Sequence, residues 1–167
     1  VNKEKMSKSL GNFFSIRELL QNFSGEELRF FLLSSHYRSP LNYSEELLGH
    51  ARSSLRTLYN ALRGKNLQPI DLGTHPLYQA FVEAMNDDFH TPKAISILFE
   101  LANRIHASTD EVSISQDAYV LKKLGDLLGL LVLDPEEYFK GDSPAVEVEA
   151  LIAKRNQARA EKNWRLA

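Results

Sequence analysis

The chain has 167 residues, of which 43% are hydrophobic and 25% charged, enough for one substantial core of ordinary globular composition. A net charge of −2 excludes a whole-chain nucleic-acid signature but leaves room for a local basic face, and the lack of cysteine excludes disulfides and thiolate zinc sites, in keeping with a cytoplasmic protein. No apolar run approaches the roughly 18 residues that span a bilayer, no signal-peptide core opens the chain, and the missing initiator Met points to a fragment or a processed product.

The first feature in chain order is Lys5-Met6-Ser7-Lys8-Ser9-Leu10-Gly11-Asn12. Two lysines three apart, two hydroxyls and a glycine make a donor-rich loop suited to following a triphosphate whose charge moves during reaction. A solvated basic loop is the ordinary meaning of two terminal lysines. The order "KMSKS", however, arises by accident in only about one chain in ten thousand of this size, so the phosphate-clamp reading is kept.

Helix punctuation follows. Ser15-Ile16-Arg17-Glu18 and Ser24-Gly25-Glu26-Glu27 both have the Ser-x-x-Glu capping-box form and predict two short helices. The second carries Leu28, Phe30, Phe31, Leu32 and Leu33, is expected to be buried nearly all round, and ends before Ser39-Pro40. After Ser44, Leu47, Leu48, Ala51, Leu55, Leu58, Tyr59 and Leu62 fall on one helical stripe that Gly64 stops.

Thr74 with Pro76, and Thr91 with Pro92, place a capping hydroxyl before a first-turn proline. The helices so started have Leu77, Phe81 and Met85, then Ile95, Leu98, Phe99, Ala102 and Ile105, as apolar faces. Ser115 is expected to begin another helix through Leu121, Leu124 and Leu128 to Gly129, and "LLVLDPEEYFKGDSP" reads as a connector turning at Asp134-Pro135 and Gly141-Asp142. A last helix from about Ala145 carries Val148, Leu151 and Ile152 and then becomes polar, with Lys154, Arg155, Arg159, Lys162 and Arg165 against Glu161 alone. Without strand periodicity, low complexity or internal repeat, the fold class is an all-α helical bundle.

"KMSKSLGN" is similar to the signature loop of class I aminoacyl-tRNA synthetases. "LRFFLLSSHYRSPLNYSEELL" (28–48), "LYNALRG" (58–64) and "NDDFHTPKA" (86–94) resemble the cysteinyl-tRNA synthetases, so the likeness runs over nearly the whole chain. Asn60 departs from the Asp-Ala-Leu-Arg that names the family's DALR-type anticodon-binding domain; its place on a helix surface leaves the resemblance intact.

The resemblance implies a division into 1–12, the end of the catalytic domain with its loop; 13–43, a helical connector contacting the tRNA stem; and 44–167, an anticodon-binding bundle truncated at its C-terminus. It implies that a Rossmann-like catalytic fold, a His-Ile-Gly-His loop and a zinc site precede Val1, and that a small terminal domain follows Ala167. The implied activity is activation of cysteine with ATP and transfer to tRNA(Cys) by a cytoplasmic monomer, with ATP and Mg²⁺ at the loop and Zn²⁺ bound outside this stretch. By the same likeness Lys8 contacts the ATP phosphates, Lys5, Ser7 and Ser9 shape the loop, Gly11 lets it bend and Met6 anchors it. The piece alone is then expected to be inactive.

His36-Tyr37-Arg38 offers a donor, a stacking ring and a bidentate cation; contact with an RNA backbone and pairing between helices are both open readings. Arg155, Arg159 and Lys162 suit phosphate contacts, and Trp164 either stacks on a base or covers a neighbouring domain. Arg52, Arg56 and Arg63 lie opposite the leucine stripe. His50, His75, His90 and His106 have no metal-ligand spacing and read as surface or capping residues, and Asp87-Asp88 reads as a helix cap rather than a Mg²⁺ or acid/base pair. Two other identities remain: the related cysteine ligase of mycothiol biosynthesis, against which the retained "HYRSPLNYS" counts, and a free-standing helical RNA- or partner-binding module, which has no need of a catalytic loop.

Overall fold

The computed structural model describes residues 14–141 and residue 155. Among them there are only helices and turns, and no helix is long and apolar enough to cross a membrane. Both predicted capping boxes form. The Ser15 hydroxyl and Glu18 carboxylate close the first turn of α1 (Ile16–Leu19), and Ser24 with Glu27 closes that of α2 (Gly25–Leu33). Burial does not run all round α2. Leu28, Phe30 and Phe31 face inward with Glu26 and Glu27, whereas Leu32 is 56% exposed, because α2 lies at the margin of the bundle.

Helix α3 (Glu45–Leu62) starts at Ser44, whose hydroxyl accepts from the Leu47 amide, and supplies the central apolar stripe. Leu48, Leu55, Leu58 and Tyr59 have no exposed surface; Leu47, at the helix edge, is exposed. The stop at Gly64 is as expected, with φ at +66°, a left-handed conformation that suits a residue without Cβ.

Three starts differ from those expected. Helix α4 (Pro76–Asn86) is preceded by a 3-10 turn, Leu72–Thr74, in which the Thr74 hydroxyl donates to the Asp71 carbonyl; His75 takes the N-cap position. Helix α5 (Thr91–Ala107) is capped not by Thr91, already its first residue, but by His90, whose Nδ1 accepts from the Lys93 amide at 3.2 Å. Helix α6 (Glu111–Leu127) begins four residues before Ser115. Asp110 caps it, and the Ser115 hydroxyl donates back to the Glu111 carbonyl as an interior serine can. Gly129, with φ at +66°, ends it as expected.

Helices α2 to α6 make one core. Helix α5 packs on α3, α4 and α6, while α2 packs on α3 and reaches α5 through Phe30, edge-to-face on Phe99 at 6.4 Å. The described residues from Leu133 onward belong to a second unit. There the expected connector contains α7 (Pro135–Gly141), since Asp134 accepts from the Glu136 amide and Pro135 sits where a helix needs no amide donor. The expected last helix from about Ala145 lies outside the described residues, apart from Arg155, which is helical and exposed.

Candidate nucleic-acid interface

Two sequence motifs some fifty residues apart meet at one aspartate. Past the C-terminus of α2, the chain turns through His36-Tyr37-Arg38, and the Ser39 amide donates to the His36 carbonyl at 2.8 Å. Opposite lies the α4–α5 turn, where Asp88 and Phe89 both have φ at +54°. The Tyr37 hydroxyl donates to Asp88 Oδ1 at 2.7 Å, Arg38 pairs with Asp88 Oδ2 at 3.0 Å, and His36 Nε2 lies 3.0 Å from the Asp88 carbonyl oxygen. The neutral imidazole with its proton on Nε2 fits both His36 contacts, since Nδ1 accepts from the Arg38 amide at 3.3 Å. Its hydrogen bond to Asp88 holds the Tyr37 phenol above its ordinary pKa, so it remains a neutral donor.

Asp88 therefore does not cap α5. Asp87 occupies the C-cap of α4, and Asp88 anchors the preceding motif. Of the two readings for residues 36–38, pairing between elements is realised, yet Tyr37 and Arg38 stay 62% and 70% exposed. The aspartate's role has only a faint trace in sequence, since a pair of acids before a Thr-Pro helix start resembles any helix cap.

Two buried polar clusters escaped the sequence reading. Glu26, 8% exposed, accepts from the Tyr59 hydroxyl at 2.9 Å and from the Leu131 amide, tying α2 to α3 and to the chain just after α6; burial pushes its carboxyl above the ordinary range. Asp117 on α6 lies 2.9 Å from His75 Nε2 and 2.9 Å from Arg104 Nε, joining α4, α5 and α6. His75 is thus a buried partner rather than a surface residue. Arg52, expected on an outward face, donates to Glu27 at 2.6 Å and to the Asn22 carbonyl, with its guanidinium 4.7 Å from the Phe23 ring centre. No group of three metal-ligating side chains occurs among the described residues. Lys5, Ser7, Lys8, Ser9, Arg159, Lys162 and Trp164 lie outside them.

An all-helical fold in a chain whose sequence carries a class I signature motif defines a class of protein that the comparisons make definite. Residues 1–53 match the family of tRNA synthetases class I (C) catalytic domain, and residues 80–132 match the DALR domain family. The chain belongs to the cysteine-type class I tRNA synthetases. It is 48% identical over 169 residues to the cysteine–tRNA ligase of Vibrio cholerae serotype O1, covering 98% of this chain and 37% of that protein. It is 49% identical over 175 residues to that of Cronobacter sakazakii, covering 100% of this chain and 38% of that protein. The cysteine–tRNA ligase of Pseudoalteromonas translucida is 47% identical over 172 residues, with the same coverage. The chain thus spans less than two fifths of the relatives it matches. The DALR match begins at residue 80 and leaves Asn60 to Arg63 outside it.

Proposed function

We propose that this chain is the stretch of a cysteine–tRNA ligase that carries the ATP-phosphate loop and a tRNA-binding helical bundle. The observation that carries the reading is the joint presence of "KMSKS" within the catalytic-domain match and of an all-helical DALR match downstream. The division at residues 12 and 43 belongs to this proposal, as do ATP with Mg²⁺, tRNA(Cys) and cysteine as substrates, a monomeric state and a cytoplasmic setting. In this reading zinc is held outside this stretch, whose sequence has no cysteine.

During adenylation, negative charge gathers on the α-phosphate as pyrophosphate leaves. A lysine that engages the phosphates at that moment speeds the step without tightening the ground state. Lys8 is assigned this contact, with Lys5, Ser7 and Ser9 shaping the loop. On the RNA side, Tyr37 and Arg38, steadied by Asp88, present a ring and a cation outward, while Arg155, Arg159 and Lys162 supply phosphate contacts and Trp164 a stacking ring. The test is cysteine-dependent ATP–pyrophosphate exchange by the full-length protein carrying this chain. Lys8→Ala should lower the rate by about 10²-fold or more with cysteine affinity little changed; a loss confined to cysteine affinity overturns the assignment.

A further inference from the structure

Phe89 stands out against the physics of the turn that carries it. It is 64% exposed, so its ring adds little to the core, and it holds φ at +54°, a left-handed conformation costly for a bulky side chain. Asp88 shares that conformation, and the turn is pinned on both sides. The Phe89 amide donates to the Met85 carbonyl at 3.1 Å, the His90 amide to the Ala84 carbonyl at 3.0 Å, and the Asp88 side chain is gripped by Tyr37 and Arg38. A glycine or asparagine would make the same turn at lower cost. The strain has the effect of displaying a flat aromatic face at the surface.

That face opens on a shallow pocket of about 480 Å³ lined by Leu32, Leu33, Ser35, Tyr37, Phe89 and Thr91. The Arg38 guanidinium lies 5.3 Å from the Tyr37 ring centre and is held to the same Asp88 that precedes Phe89. The aromatic rings of Tyr37 and Phe89, the hydroxyl-bearing Ser35 and Thr91, and the exposed Arg38 cation beside the Tyr37 ring match the chemistry of an unstacked nucleotide: the base on the ring, its edge toward hydroxyls, its phosphate toward the guanidinium.

We infer that Phe89 is a stacking platform for an unpaired nucleobase of the bound RNA, held in place by the Asp88 clamp. This rests on the tRNA-binding reading above and specifies how one nucleotide is held. The experiment is affinity of the full-length protein for an unmodified transcript of tRNA(Cys), comparing wild type with Phe89→Tyr, Phe89→Leu and Phe89→Gly. Phe89→Tyr should bind like wild type, while Phe89→Leu and Phe89→Gly should each lose about tenfold or more, the scale of one base–aromatic stack. Thermal unfolding separates this from misfolding, since Phe89→Gly relieves the strained backbone and should melt no lower than wild type. If Phe89→Leu retains full affinity, the ring is not a stacking surface and the platform is overturned while tRNA binding stands. If Phe89→Leu and Phe89→Gly bind normally but the purified protein then associates with itself less, the face is a protein contact and the proposal again fails. If wild type does not bind the transcript, the tRNA-binding reading and the platform fall together.

Discussion

The Tyr37 hydroxyl sits 2.7 Å from Asp88 Oδ1 and joins the segment after α2 to the turn before α5 across 51 residues of sequence. Because the carboxylate accepts this proton-bearing bond and repels a phenolate, the Tyr37 pKa is raised. A raised folded-state value means that the bond's contribution to stability is fully present below the ordinary tyrosine pKa. It is lost as pH climbs through the raised value. In spectra of the protein labelled at tyrosine Cζ, with Tyr37→Phe identifying the resonance, Tyr37 should titrate later than an exposed tyrosine. Asp88→Asn should bring it back toward the ordinary value; an unchanged titration would mean the clamp does not persist in solution.

Glu26 has the same sign for a different reason. Desolvation dominates over the bonds from Tyr59 and Leu131, so its carboxyl is raised. Its own contribution to stability is then greatest in acid, below the ordinary carboxylate pKa, and declines as pH rises through the raised value. Urea denaturation of wild type and Glu26→Gln between neutral pH and pH of about 4 should show the difference moving in favour of wild type as the solution is acidified. Movement in the opposite direction would show that the two hydrogen bonds outweigh burial.

Two helical glycines should respond oppositely to the same change. At Gly49 on α3 a Cβ meets nothing within 4 Å, so Gly49→Ala should stabilise by about 0.5–1 kcal/mol through helix propensity. At Gly125 on α6 a Cβ falls 2.8 Å from Leu131 Cδ1 and 3.1 Å from the Leu130 carbonyl oxygen, where the chain folds back on the helix. Gly125→Ala should therefore destabilise by about 1–3 kcal/mol despite the same propensity gain. Equal shifts in chemical denaturation midpoints would contradict this packing.

What the sequence makes legible follows from range. Capping boxes, glycine stops and the leucine stripe of α3 are local, and Ser15, Ser24, Gly64 and Gly129 stand where their chemistry puts them. Helix starts fail where two candidates compete. His90 rather than Thr91 accepts from the Lys93 amide, and Asp110 outcompetes Ser115 because an acid five residues earlier adds a turn of helix. The polar contacts of Glu26, Asp88 and Asp117 span 13 to 105 residues and have no periodic signature, so only the folded chain reveals them. Tyr37 and Arg38 were recognisable as chemistry, but the partner that orients them was not.

The basic stretch near the end of the chain has an electrostatic test. If Arg155, Arg159 and Lys162 engage tRNA phosphates, neutralising all three as glutamines should flatten the log–log dependence of tRNA affinity on salt by about 0.7–0.9 for each phosphate no longer neutralised. A slope and affinity that match wild type would make this face a solvated surface.

The most direct measurement is charging of tRNA(Cys) by the full-length protein carrying this chain, supplied with cysteine, ATP and Mg²⁺. Ester-linked cysteine should accumulate on the tRNA 3′ end, and the rate should fall by about 10²-fold or more with Lys8→Ala. Cysteine-dependent ATP–pyrophosphate exchange without any charging of tRNA would contradict the account, because it would assign the loop to a ligase that activates cysteine for a different acceptor.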